Sequence, residues 1–62
     1  MFVTVKTEDR ELRKQARRIK VIDHATGEEI KGVVSADDIA QWYELRDGTR
    51  IKDRPFYFRG VE

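Results

Sequence analysis

The chain contains no cysteine, one histidine, one serine and one proline. Without cysteine there is neither a disulfide staple nor a thiolate metal site. A lone imidazole, His24, does not build a multi-histidine zinc site. Ser35 has no Gly-x-Ser-x-Gly elbow around it. No phosphate-binding or dinucleotide-binding glycine pattern occurs. No apolar run approaches the ~20 residues that span a bilayer, and Lys6 to Asp9 interrupt any signal-peptide core near the start. These absences set the expectations: no enzyme, no cofactor, no metal, no small-molecule substrate and no membrane, in a cytoplasmic setting. A chain of 62 residues is expected to form one small domain, burying only about 60% of its unfolded surface.

Charged residues make up 40% of the sequence and apolar residues 39%, with six aromatics. Aromatics and β-branched residues occur in clusters, which separates this composition from that of a disordered segment. The net charge is +1, but its distribution is uneven. Arg10 to Lys20 holds Arg10, Arg13, Lys14, Arg17, Arg18 and Lys20 against Glu11, a local charge of +5. Asp23 to Asp47 is the reverse, −5, with Asp23, Glu28, Glu29, Asp37, Asp38, Glu44 and Asp47 against Lys31 and Arg46. A basic tail follows, with Arg50, Lys52, Arg54 and Arg59. The plainest role of such charge is to keep a small protein soluble.

Strand signals dominate the pattern. Residues 2–6, FVTVK, alternate, with Val3 and Val5 on one face. TEDRELRKQARRI reads as a short helix over residues 8–17, with Thr7 as N-cap, acids in the first turn and bases in the last. A charged loop or strand extension competes with it, since the apolar stripe Leu12, Ala16, Ile19 is thin. RIKVID and EIKGVV read as two paired strands joined at DHATGEE, where Asp23 opens a turn and Gly27 supplies a positive φ. Gly32 marks a bulge or a close backbone approach. SADDIAQWYELRDG can be a helix capped by Ser35 and Asp38, or a turn at SADD followed by the strand QWYELR. The strand is preferred, because Asp47-Gly48 is a strong hairpin signal. FYFRGV follows Pro55 as a last strand. The expected fold is mainly β: a meander or small barrel of five to six strands, with at most one short helix before Ile19. Its expected core is Val3, Val5, Ile19, Val21, Ile30, Val34, Tyr43, Leu45, Ile51, Phe56, Phe58 and Val61.

The stretch VIDHATGEEIKGVVSADD resembles a segment of short uncharacterised β proteins carried by phages and prophages. The likeness rests on Val21, Asp23, Thr26, Gly27, Glu28, Ile30, Val34, Ala36 and Asp37. It implies a mobile-element origin and an intracellular setting, and carries no activity.

Asp23, His24, Glu28 and Glu29, with Asp37 and Asp38 nearby in sequence, offer oxygens to a hard cation, but their spacing matches no calcium loop. They read instead as turn chemistry. Two binding surfaces remain. The preferred one takes a protein partner, or a second copy of the chain, on Trp42, Glu44 and Arg46, because a Trp on the polar face of a strand is a natural interface anchor. The alternative takes nucleic acid on the basic stretch Arg10, Arg13, Lys14, Arg17, Arg18 and Lys20 together with the basic tail Arg50, Lys52, Arg54 and Arg59, with Trp42, Tyr57 or Phe2 as a stacking face.

Overall fold

Alternation in the first residues produces strand β1 (Phe2–Thr4), with Val3 buried and Phe2 exposed. A computed structural model describes residues 1–60; Val61, expected in the core, lies outside them. Helix α1 follows over Arg10–Arg17. Its N-cap is Asp9, not Thr7: Asp9 Oδ1 accepts from the Glu11 and Leu12 amides at 2.9 and 3.3 Å. A carboxylate there answers two orphan amides and the positive helix end together, which a hydroxyl does less well. Thr7 instead accepts from the Asp9 amide at 3.2 Å. The helix therefore starts two residues later than the pattern suggests. None of its residues is fully buried, and only Ala16 packs against the core.

The remaining strands are β2 (Ile19–Asp23), β3 (Val33–Asp37), β4 (Trp42–Leu45), β5 (Arg50–Ile51) and β6 (Phe56–Gly60). They form two antiparallel sheets. One has four strands in the order β1-β3-β4-β5, and the other pairs β2 with β6. The strand reading of residues 42–45 holds.

The expected pairing of RIKVID with EIKGVV does not hold. β2 pairs along its length with β6, from Ile19↔Gly60 to Asp23↔Phe56. Only a stub of the hairpin survives, a single bridge Ile22↔Glu29 with bonds from Asp23 N to Glu28 O and from Ile30 N to Val21 O. The turn itself is as expected, with Gly27 at φ +74°. The departure comes at Gly32, whose φ of +82° swings the chain into the other sheet, where β3 pairs with β1 and β4. Burying Phe56 and Phe58 beside Val21 outweighs a local hairpin of smaller side chains, as tertiary context commonly overrides strand propensity. SADD is likewise not the turn: Ser35 to Asp37 lie in β3, and the chain reverses over residues 38–41.

The sheets face each other across a core of Val3, Ala36 and Tyr43 from one and Val21 and Phe56 from the other. Tyr43 and Phe56 meet edge to face at 5.4 Å. Ile19, Ile30, Leu45, Ile51 and Phe58 pack around them as expected. Ala36 and Ile22 are among the most deeply buried residues and were not in the expected core. Val5 and Val34 are only half-buried. A register irregularity between Val33 and Ser35 hands the inner position to Val33, and Val5 and Val34 line a cleft of about 150 Å³ between the sheets.

Candidate functional site

With the inner faces joined, each sheet turns its other face outward. On the four-stranded sheet, strand register sets Phe2, Asp37 and Trp42 in one row and Thr4, Ser35, Glu44 and Arg50 in the next. Trp42 is half-buried, not free. Phe2 leans on it with ring centres 5.9 Å apart, and the Arg50 guanidinium lies 4.2 Å above its ring. An aromatic pair and a cation over the ring each stabilise by roughly 0.5–1 kcal/mol. Phe2 remains 53% exposed and Ile39, in the adjoining turn, 84%. Met1 is drawn to the same end by a bond from Asp38 N to Met1 O.

Of the three expected anchor residues, the fold brings Trp42 and Glu44 to this face, while Arg46 sits past the strand in the turn. Glu44 is engaged by Lys6 Nζ at 3.1 Å and is 15% exposed. The partner that the sequence reading missed is Arg50. Its signal was present in Asp47-Gly48, since a tight turn fixes which residue of the returning strand lies near Trp42.

The outer face of the two-stranded sheet differs. Lys20 pairs in register with Arg59, and Ile22 with Tyr57. His24 meets the Tyr57 ring edge-on at 6.1 Å, and Arg59 donates to the Tyr57 hydroxyl at 3.5 Å. Tyr57, Lys20, Arg59 and His24 are all exposed. Glu29 is the one carboxylate in register here, with Lys20 Nζ 3.9 Å away. Helix α1 runs directly into this sheet. Arg10, Arg13, Lys14 and Arg17 line a shallow depression on it with Glu11, and Arg18 caps its end. Among the described residues, none of these five helix cations forms an ion pair. Of the expected phosphate-binding set, Lys20 and Arg59 therefore share one sheet face and five precede it on the helix, whereas Arg50 lies over Trp42 on the other sheet and Arg54 is held by Asp23.

The acidic residues weighed as cation ligands are dispersed. Asp23 is 6% exposed. Its carboxylate accepts from the Ala25 amide at 2.8 Å and from Arg54 at 2.7 Å. The Ala25 amide, with the Arg54 charge and the Thr26 amide, holds it below its ordinary pKa against the opposing effect of burial. Asp37 accepts from the Ile39 and Ala40 amides at 2.9 and 3.1 Å. Thr4 and Ser35 share a hydroxyl contact of 2.7 Å. Among the described residues, no three His, Asp or Glu side chains come together as a metal-ligand group.

Gln41 also escaped the sequence reading. Its φ is +57°, a conformation L-residues seldom take. Its side-chain amide donates to Asp38 O at 2.6 Å and to Phe56 O at 3.4 Å, and its carbonyl accepts from Phe56 N at 3.3 Å. One amide thus stands in for a neighbouring strand at the edge of β6 and clips the two sheets together.

No protein-family model, no curated protein and no solved structure matches this chain. Among the described residues, no helix is long and apolar enough to cross a membrane.

Proposed function

We propose that this chain is a small non-enzymatic protein-interaction module that docks a partner protein on the outer face of its four-stranded sheet. The observation that carries the reading is the Phe2–Trp42–Arg50 stack on the solvent side of that sheet, with exposed Ile39 and Met1 at its rim. Exposed apolar side chains gathered in one place mark interaction surfaces more often than scattered ones do. Trp and Arg are the residues most enriched at binding hot spots. Arg50 has no carboxylate partner among the described residues. The partner chemistry follows: an apolar side chain to seat against Phe2 and Ile39, and a carboxylate to meet Arg50. Trp42 serves as the floor of the site, with Phe2 and Ile39 as its contact points. On its resemblance alone, the chain is assigned to a phage or prophage and to the cytoplasm of its host.

A photo-crosslinking residue in place of Phe2, used in host cells, tests this. A protein adduct of one discrete size should form, and Ile39→Asp or Arg50→Glu should abolish it while the fold persists by circular dichroism. No adduct, the same adduct from Tyr57 on the opposite sheet, or an adduct digested by nuclease would each overturn the reading.

A further inference from the structure

We infer that the outer face of the two-stranded sheet is a second, independent site, which takes single-stranded nucleic acid. Tyr57 supplies the stacking ring, Lys20 and Arg59 the first phosphate contacts, and helix α1 a basic track continuing from them. Three observations carry this. First, register places Tyr57 two residues from Arg59 on one strand, opposite Ile22 and beside Lys20 on the other. An exposed ring flanked by two cations on a sheet surface is what a base and its neighbouring phosphates need, because every base offers a π-face and every nucleotide one negative charge. Second, α1 delivers Arg17 and Arg18 to the first residue of β2. The cations of Arg10 to Lys20 therefore follow one another along the chain on a helix that packs on both β1 and β2, with the helix members free of ion pairs among the described residues. Third, the carboxylates most hostile to a phosphate backbone lie elsewhere. Asp37 and Glu44 belong to the outer face of the four-stranded sheet, across the core. Trp42, the most obvious stacking ring in the sequence, sits among them and is the wrong one. Among the described residues, Glu29, in register with Ile22 and 3.9 Å from Lys20 Nζ, opposes the sheet part of the site, and Glu11 shares the helix depression.

The platform is completed by what holds it rigid. Ile22, beneath the same face, is 1% exposed, so the strand that carries Lys20 is anchored by a buried side chain on its outer side as well as by Val21 on its inner side. His24 packs edge-on against Tyr57 and limits its rotation. A ring already fixed in place loses less entropy when a base stacks on it.

The test uses the intact chain and fluorescence anisotropy with an oligothymidine of about 12 nucleotides, within the span of single-strand sites on small β folds. Binding should weaken between about 50 and 200 mM salt, with a log–log slope steeper than about −1.5, the value for Lys20 and Arg59 alone, and approaching about −5 as the five helix cations join them, at ~0.7 per phosphate neutralised. Lys20→Gln with Arg59→Gln, both at exposed positions, should weaken it by about tenfold or more. Tyr57→Leu, which keeps an apolar side chain in register with Ile22, should weaken it by a similar factor, whereas Tyr57→Phe should retain it. Glu29→Gln should tighten it. Lys20→Gln alone should weaken it several-fold, whereas Lys6→Gln, which removes the same single charge beside Glu44 on the opposite sheet, should change little. An abasic oligonucleotide of equal length should bind about tenfold more weakly, since stacking is lost. Equal affinity for the abasic strand, or equal loss from Lys6→Gln and Lys20→Gln, would overturn the site in favour of unspecific attraction to polyanions. No binding at the lowest salt would overturn it outright. None of these outcomes bears on the protein-docking face.

Discussion

The two outer faces are built on one core yet have opposite chemistry. The four-stranded sheet shows aromatic rings set among carboxylates that are already engaged: Glu44 by Lys6, and Asp37 by the amides of its own turn. The two-stranded sheet shows a ring set between Lys20, held loosely by Glu29, and Arg59, which makes no ion pair among the described residues. Satisfied charges next to exposed apolar groups suit a partner that excludes water. Unsatisfied cations next to a ring suit a charged polymer that stays wet. A surface of 4669 Å² leaves room for both, since a standard interface takes only about 800 Å² of each protein partner. The contrast teaches that a net charge of +1 says little here. The segregation of charge along the sequence survives folding because each sheet draws its outer face from a different part of the chain.

The strongest way to break the comparison is to remove the support that both faces share. Phe56 reaches from the two-stranded sheet to the Tyr43 ring of the other. Phe56→Ala should cost about 3–5 kcal/mol. A chain of this length has a total stability of roughly 3–9 kcal/mol, at 0.05–0.15 per residue. The variant should therefore lose about a third or more of its stability, melt far below the parent, and lose both binding activities together at the temperature where it unfolds. A cooperative melt within a few degrees of the parent would mean that the sheets do not depend on each other.

Gln41 comes next. Replacing it with Ala strands the buried amide of Phe56 and keeps the strained φ, so the cost should be about 1–3 kcal/mol. Gln41→Gly should cost less than Gln41→Ala, because glycine relaxes the backbone while still losing the clip. Urea melts of the two variants check the order. Reversal of that order would show that the positive φ is not strained.

How far these features were legible in the sequence differs between the faces. Alternation in FVTVK, and in the run ending at Asp47-Gly48, was enough to place Val3, Tyr43 and Leu45 inward and Phe2 and Trp42 outward. That gave the two flanks of the four-stranded face, but not β3 between them, whose Ser35 to Asp37 read as a turn in the sequence. The two-stranded face was not legible, because its strands are separated by more than thirty residues of chain. A turn as strong as Thr26-Gly27 argued for the local pairing. Only the competition between Phe56 with Phe58 and the smaller side chains of EIKGVV decided otherwise, and that is settled by packing, not by turn chemistry. Lys20 and Arg59 could be named as cations from composition, but their pairing could not. Gln41 gave no signal, since nothing in the local sequence marks a glutamine that will substitute for a strand.

A smaller effect sharpens the difference between the two sheets. Gly27→Ala forces a Cβ into a left-handed turn that has open space around it. The cost is therefore conformational and not a clash, about 1 kcal/mol. Only the stub hairpin beside β2 depends on that turn. Amide shifts should move in β2 and β6 and stay in place in β3 and β4, and oligonucleotide affinity should fall while the Phe2 adduct is unchanged. Equal shifts in both sheets would show that the faces are mechanically coupled.

The smallest expected effect separates the sheets by acid. Each has an aspartate at a turn whose pKa lies below its ordinary value of 3.8. In the two-stranded sheet Asp23 is held down first by the Ala25 amide and then by Arg54. In the four-stranded sheet Asp47 is held down by the backbone and side chain of Thr49, with the Thr49 amide at 2.9 Å. A carboxyl with a depressed pKa in the folded state contributes stability that is fully present above its unfolded pKa and is lost as pH falls through the folded value. The melting temperature should therefore be flat with respect to these two groups above about pH 5 and decline below about pH 4. The two contributions should not be equal. Protonating Asp23 also releases Arg54, which ties the loop before β6 to the end of β2, whereas Asp47 is exposed and makes no ion pair among the described residues. Asp23→Asn should lower the melting temperature at neutral pH and flatten the acid limb more than Asp47→Asn does. Glu28→Gln, at the exposed edge of the same turn, should leave both unchanged. An acid limb untouched by Asp23→Asn would show that the Arg54 contact adds nothing to the stability of the basic face.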